Sequence, residues 1–456
     1  MRMWYKARLG LLVLALVGLP AMVARGQGPD ETVDPAITAW LQANAIPFDT
    51  AEPGGSDADL MPIREIVGDA RIVALGEATH GTHEFFAMKH RLIEFLIEEM
   101  GFTVFAMEAN WLPMERINDY VQTGDGDPVE LLAAQGFWVW NTQEVLDLIE
   151  WLRAFNVAHP DNPVQVTGFD AQDPLNPQEA VLAYLREVDP DAAALAEERY
   201  TCLPEIPQAF TSPQEFDAYL ESMPSCTVDT EAVHNDIVQF RAGYEPTLGT
   251  DAYERALHSA DLVVQAYRIF APGSTLSTRD RYMAENVEWL IERNPDAKII
   301  LWAHNYHVFR SPDIYGRTMA GRLEENHGDE MVVFGFTFYQ GVANSRKLSM
   351  VDDQVVWGSI EAFELPPAIA GSYEAAFHST GLPRFILSFK GLELSGDARW
   401  LRNVHLMRQF GAGYYPDNAE NYFGKTTLPI IFDAVIYFDD TTASQLIPMP
   451  GVEYAN

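Results

Sequence analysis

RIVALGEATHGTHEFFAMKHRLIEFLIEEMGFTVFAMEANW, residues 71–111, reads as strand, polar loop, helix, strand and acid. Residues 72–75 are a short apolar run with the length of a buried strand. Gly76 ends the run and allows a sharp turn. Glu77, Thr79 and His80 follow at once, where a strand tip meets a helix start. Phe85, Met88, Leu92, Phe95 and Leu96 then recur three or four apart, which predicts a helix, and Gly101 stands where a C-cap glycine is expected. A second apolar run, 102–107, ends on Glu108. This is one βαβ unit with Glu77, His80 and Glu108 at its two strand tips. Ligands of open α/β sheets bind outside the carboxyl ends of the strands, so these tips are the expected chemical centre.

Upstream, residues 1–26 hold Arg2, Lys6 and Arg8, the apolar run 9–17, and Ala24-Arg25-Gly26 before Gln27. The run is shorter than the roughly 20 residues a membrane span needs. The expectation is a cleaved signal peptide, an exported chain from residue 27, and no stable membrane association after cleavage. The formal charge of −36 argues against nucleic acid or an anionic membrane as partner and describes a solvated acidic coat. Two cysteines, Cys202 and Cys226, are expected to pair in an oxidising compartment. Neither lies beside a candidate base, so a catalytic thiol is not expected.

Downstream, a helix is read near 114–121 and another after Thr142, a suitable N-cap, behind the aromatic knot 137–142. Gly124-Asp125-Gly126-Asp127 lacks the alternating ligands and closing glutamate of a calcium loop. Further strands are expected at 164–167, 298–303, 331–338 and 430–438, the first followed by Gly168-Phe169-Asp170 and the second by His304-Asn305-Tyr306-His307. Residues 173–275 carry helical patterns only, including one long helix over 228–269, and read as a helical insertion or lid. A helix over 279–293 returns the chain to the sheet. The expected class is α/β: a largely parallel central sheet flanked by helices, with 27–456 as one domain carrying that insertion.

Five ionisable groups therefore sit at three strand ends: Glu77 with His80, Glu108, and His304 with His307. A histidine beside carboxylates suits general-base work, because a carboxylate orients the imidazole and stabilises the imidazolium. No G-x-S-x-G elbow or phosphate loop is present, so direct attack by water is favoured over an acyl-enzyme. A metal-dependent hydrolase built on His304-x-x-His307 and the two glutamates remains open, as does a non-catalytic small-molecule-binding protein.

Gly76-Glu77-Ala78-Thr79-His80-Gly81, Glu84-Phe85-Phe86, Gly101-Phe102 and Glu108-Ala109-Asn110-Trp111 resemble the erythromycin esterase family. The likeness continues through Trp140-Asn141-Thr142-Gln143-Glu144, Gly168-Phe169-Asp170-Ala171-Gln172, Arg279-Asp280, Trp302-Ala303-His304-Asn305-Tyr306-His307, Gly335-Phe336-Thr337-Phe338 and Phe432-Asp433-Ala434. The resemblance implies hydrolysis of a macrolide lactone or related ester, without a covalent intermediate, metal or other cofactor. It implies His80 as the base, with Glu77, Glu108, His304 and His307 completing the site. Lys89 stands where characterised macrolide esterases carry arginine, and lysine cannot make the same two-pronged contact. Lys89, Trp111, Trp140 and Asn305 are assigned to substrate contact.

Overall fold

The computed structural model describes residues 33–203, 211–310, 317–352 and 354–455. The leader expected at 1–26 lies outside them. A ten-stranded sheet organises the chain. Its strands are β1 (Ile46–Pro47), β2 (Ile72–Leu75), β3 (Val104–Asn110), β4 (Gln165–Asp170), β5 (Ile299–Trp302), β6 (Met331–Val351), β7 (Gln354–Leu365), β8 (Arg384–Ser388), with β10 and β12 further on. β9 (His405–Arg408) pairs with β11 (Phe423–Thr426) in a separate ribbon. β10 (Gly413–Tyr414) joins β6, and β12 is Ala434–Thr441. The order across the sheet is β1-β8-β12-β6-β2-β5-β3-β4, with β7 and β10 also on β6. From β12 to β4 every neighbour is parallel. β8 on β12, β1 on β8 and β7 on β6 are antiparallel.

Alternation along the parallel strands fills two cores. Val73, Leu75, Phe105, Met107, Ile300 and Trp302 enter one. Ile72, Ala74, Val104, Ala106, Ile299 and Leu301 enter the other. Burial on both faces is why these strands read as continuous apolar runs. The helices His83–Met100, Trp111–Thr123 and Gln143–Ala158 cover the first face. Leu276–Arg293, Met319–His327 and Tyr373–His378 cover the second.

His83–Met100 is buried almost all round, from Phe85 to Ile97. Its outer side is covered by the loop-rich segment before β2, which Arg91 grips through the carbonyls of Thr50 and Ser56 and the Asp59 carboxylate. Gly101 caps it at φ 72°, its N–H donating to Ile97 O, a backbone state that glycine adopts without strain. Gly76 serves differently from the expected sharp turn. Its φ is not positive, but a Cβ there would stand 2.2 Å from Asn305 Oδ1. Close approach, rather than left-handed geometry, requires glycine.

Residues 175–270 carry helices only among the described residues, Leu175–Val188, Pro190–Arg199, Pro213–Ser222, Thr227–Gln239, Arg241–Leu248 and Thr250–Phe270, besides one 3-10 turn. The single helix expected over 228–269 is three, interrupted at Phe240 and at Gly249, whose φ is 91°. Cys202 and Cys226 form a disulfide inside this region. Among the described residues no helix is long and apolar enough to cross a membrane. The expected strand at 430–438 begins later, at Ala434, after a turn of helix at Leu428–Ile431. β6 runs to Val351, far beyond the expected Phe338, because it pairs with β7 in a long hairpin.

Candidate active site

Register brings the strand tips level. Leu75 pairs with Trp302, and Trp302 with Met107, across β2, β5 and β3. Glu77, His304 and Glu108 lie within two residues of those positions, so three adjacent strands deliver them to one crevice. β2 leads to β3 on one side, while β5 leads to β6 on the other, which is the switch point where open α/β sheets bind ligands.

On the β2 side, Glu77 is fully buried and uses both oxygens. Oε1 lies 2.5 Å from His80 Nδ1. Oε2 accepts from Lys89 Nζ at 2.5 Å and from Trp302 Nε1 at 3.2 Å. A carboxylate only accepts, so the ring proton of His80 belongs on Nδ1 and Nε2 carries the lone pair. His80 is 8% exposed, and its Nε2 has no partner among the described residues. The Trp140 ring stands edge-on to it at 5.1 Å, and Trp140 Nε1 donates to Glu108 O at 2.8 Å.

The β3 side is a closed chain of charge. Glu108 Oε1 accepts from Arg279 Nη2 at 2.6 Å and lies 3.3 Å from His307 Nε2, while Oε2 accepts from His304 N–H at 2.8 Å. Arg279 also grips Asp170 Oδ2 at 2.7 Å, and its Nη1 is 3.2 Å from His307 Nε2. His307 Nδ1 faces Asp280 Oδ1 at 2.9 Å. Burial alone would raise the Glu108 pKa, but His307 and Arg279 hold it well below the usual carboxylate range. Burial likewise opposes charge on His307, yet Glu108 and Asp280 outweigh it and push its pKa up to about 9.

His304 sits between the two halves, its ring 5.0 Å from that of His80. Its Nδ1 accepts from Tyr306 N–H and its Nε2 reaches Phe410 O, each at 3.2 Å. Both nitrogens are thus committed in the neutral ring. Burial, reinforced by His80, holds its pKa well below the usual value.

Three residues assigned to substrate contact are placed otherwise. Lys89, expected on the order of 10 Å up its helix, reaches Glu77 because helical side chains lean toward the N-terminus. It is completely buried beneath the glutamate and touches no open space. The Asn305 amide is closed by the backbone of Phe336, donating to its carbonyl at 2.7 Å and accepting from its N–H at 3.1 Å. Trp111 packs edge-on to His258 and Trp289, with Arg255 over its ring, facing the helical insertion. The reading also passed over Asp170, Arg279 and Asp280 as site residues. Their signal was present: an acid at the third strand tip, and an arginine–aspartate pair opening an otherwise amphipathic helix.

This arrangement can be set against known proteins. A family model described as Erythromycin esterase matches residues 97–441. The chain belongs to the erythromycin esterase family. It is thereby a carboxylic ester hydrolase by descent. Erythromycin esterase type II of Escherichia coli is 26% identical over 433 residues, 90% of this chain and 98% of the relative. The solved structure of a succinoglycan biosynthesis protein superposes with a TM-score of 0.76 at 25% identity, covering 92% of this chain and all of that one. An erythromycin esterase mutant in its open conformation shares the fold, with a TM-score of 0.68 at 18% identity over 87% of this chain and 97% of its own. Glu77, His80 and Lys89 precede the matched span of the family model, which starts at residue 97 inside the helix His83–Met100.

Proposed function

We propose that this esterase hydrolyses a lactone or another bulky carboxylic ester, of macrolide type, by direct attack of water activated at His80. Water gives a proton to His80 Nε2 as its oxygen bonds the carbonyl carbon, and the carbonyl electrons move onto oxygen. Collapse of that tetrahedral species breaks the carbon–alkoxide bond, and the departing alkoxide takes the proton back from His80. The products are a carboxylic acid and an alcohol, joined in one molecule when the ester is cyclic. Glu77 keeps the imidazole in the required tautomer and stabilises the imidazolium, while Lys89 and Trp302 hold Glu77 in place.

One observation carries the reading. Of the three histidines at the strand tips, only His80 combines an open nitrogen with access to solvent. A bound divalent cation is less well supported. The carboxylates it would need already face Lys89 and Arg279, and no group of three or more potential ligands has metal-binding geometry among the described residues. The disulfide and the leader-like residues 1–26 support action outside the cytoplasm.

The test is a panel of macrolide lactones and aryl esters, read by mass spectrometry for addition of one water. His80→Ala is expected to lower turnover by about 10³-fold or more while the protein stays folded. Wild-type-like turnover in that variant removes the mechanism. Dialysis against a chelator should leave activity intact, and loss restored by zinc or manganese would transfer the reading to a metal enzyme.

A further inference from the structure

His83 follows His80 by three residues and opens the helix His83–Met100, yet the chemistry above makes no use of it. Its Nδ1 lies 2.8 Å from Glu144 Oε1 and its Nε2 2.9 Å from Glu52 Oε1. A neutral imidazole has one N–H, so one carboxylate would then face a lone pair. The doubly protonated ring satisfies both.

Four segments meet here. Glu144 is four residues beyond Trp140, the ring packed on His80. The Glu144 oxygens also accept from Gln445 N–H at 3.0 and 3.2 Å. His83 N–H donates to Thr442 O, and Ser444 N–H donates to Gly81 O, so the C-terminal segment brackets the His80 loop. Glu52 brings in the segment ahead of β2. The remaining acid at this junction, Glu84, is engaged by the N–H and hydroxyl of Thr442.

We propose that the His83 imidazolium, clasped between Glu144 and Glu52, is a positioning residue that holds the His80 loop against the Trp140 turn, making turnover depend on its charge. The inference rests on His80 as the base. The Glu144 hydrogen bond, opposed by burial and aided by Glu52, raises the His83 pKa to about 9, so the clasp is closed at neutral pH and opens in alkali. Lys89 loses charge in a neighbouring range, its pKa brought down to about 8 by burial against the pull of Glu77, but it has no contact with Glu52. An exposed Glu52 variant therefore separates the two events.

Histidine ¹H–¹³C spectra of the whole enzyme, with the His83 signal identified by its absence in His83→Gln, should titrate near pH 9, and Glu52→Gln should lower that midpoint by roughly one unit. The kcat for 4-nitrophenyl acetate, corrected for spontaneous hydrolysis, should show an alkaline limb that moves down in Glu52→Gln. His83→Gln should lose about tenfold in kcat at pH 7 with KM little changed. A His83 midpoint at or below 6.5, or a Glu52→Gln limb superimposed on the wild type, overturns the inference. Retained turnover in His80→Ala would instead sink the base assignment, while the His83 midpoint is read without turnover.

Discussion

Glu77 and Glu108 end strands on either side of β5, and both are buried against a cation and a histidine. Their neighbourhoods nevertheless do different work. Around Glu77 the partners are few, and the histidine it orients keeps one nitrogen open to solvent. Around Glu108 both of its oxygens and both His307 nitrogens are engaged, in a run from Asp280 through His307, Glu108 and Arg279 to Asp170. A saturated network of this kind fixes geometry, because removing any member strands a buried charge. An unsaturated one can exchange a proton with substrate. The proposed chemistry thus lies on one side of a single crevice and a saturated brace on the other.

The contrast breaks most visibly at Glu77→Gln. An amide can present either face to His80 Nδ1, so the imidazole loses its imposed tautomer, and kcat should fall by about 10³–10⁴-fold as when a triad aspartate becomes asparagine. A loss under tenfold would mean that Glu77 is no more an orienting group than Glu108. Arg279→Met attacks the closed side. It leaves Glu108 and Asp170 without their shared cation, and urea unfolding should show a loss of about 3–5 kcal/mol. The remaining folded enzyme should lose less activity than Glu77→Gln.

The two sides should also answer alkali with opposite signs. His307 has a folded pKa near 9, above its ordinary 6.5, so its stabilisation is complete below pH 6.5 and is lost as pH rises through 9. Lys89 has a folded pKa near 8, below its ordinary 10.5, so stability rises as pH climbs from 8 towards 10.5. Unfolding curves should show His307→Gln flattening the decline between pH 6.5 and 9, and Lys89→Met removing the later rise. The smallest effect is expected at Trp111→Phe, which changes packing against His258 and Trp289 and the ring under Arg255. KM should stay within about twofold, with a stability cost of about 1 kcal/mol. A larger KM change would return Trp111 to the substrate wall.

The sheet's parallel half was readable in the chain because its signals are local. Apolar runs mark doubly buried strands, and Gly101 and Thr142 mark a helix stop and a helix start where the structure has them. The antiparallel margin was not. β8 takes its antiparallel place from β12 and β1, both distant in the chain. β7 and the extension of β6 form a hairpin whose strands mix half-buried polar and apolar residues and so show no clean alternation. Likewise the helix breaks fall at Phe240 and Gly249, whereas Pro246, the stronger breaker by composition, lies inside the helix between them.

Residue order alone determined that acids and histidines follow apolar strand runs, since glycine, alternation and helical period act within a few positions. The adjacency of β2, β5 and β3 came from the fold. Only the folded chain decided which of those groups stays open. Arg279 reaches Glu108 across 171 positions, Asn305 spends its amide on Phe336, and Lys89 leans back beneath Glu77. Hydrogen-bond saturation is settled by such distant partners, and they leave His80 Nε2 without a partner among the described residues.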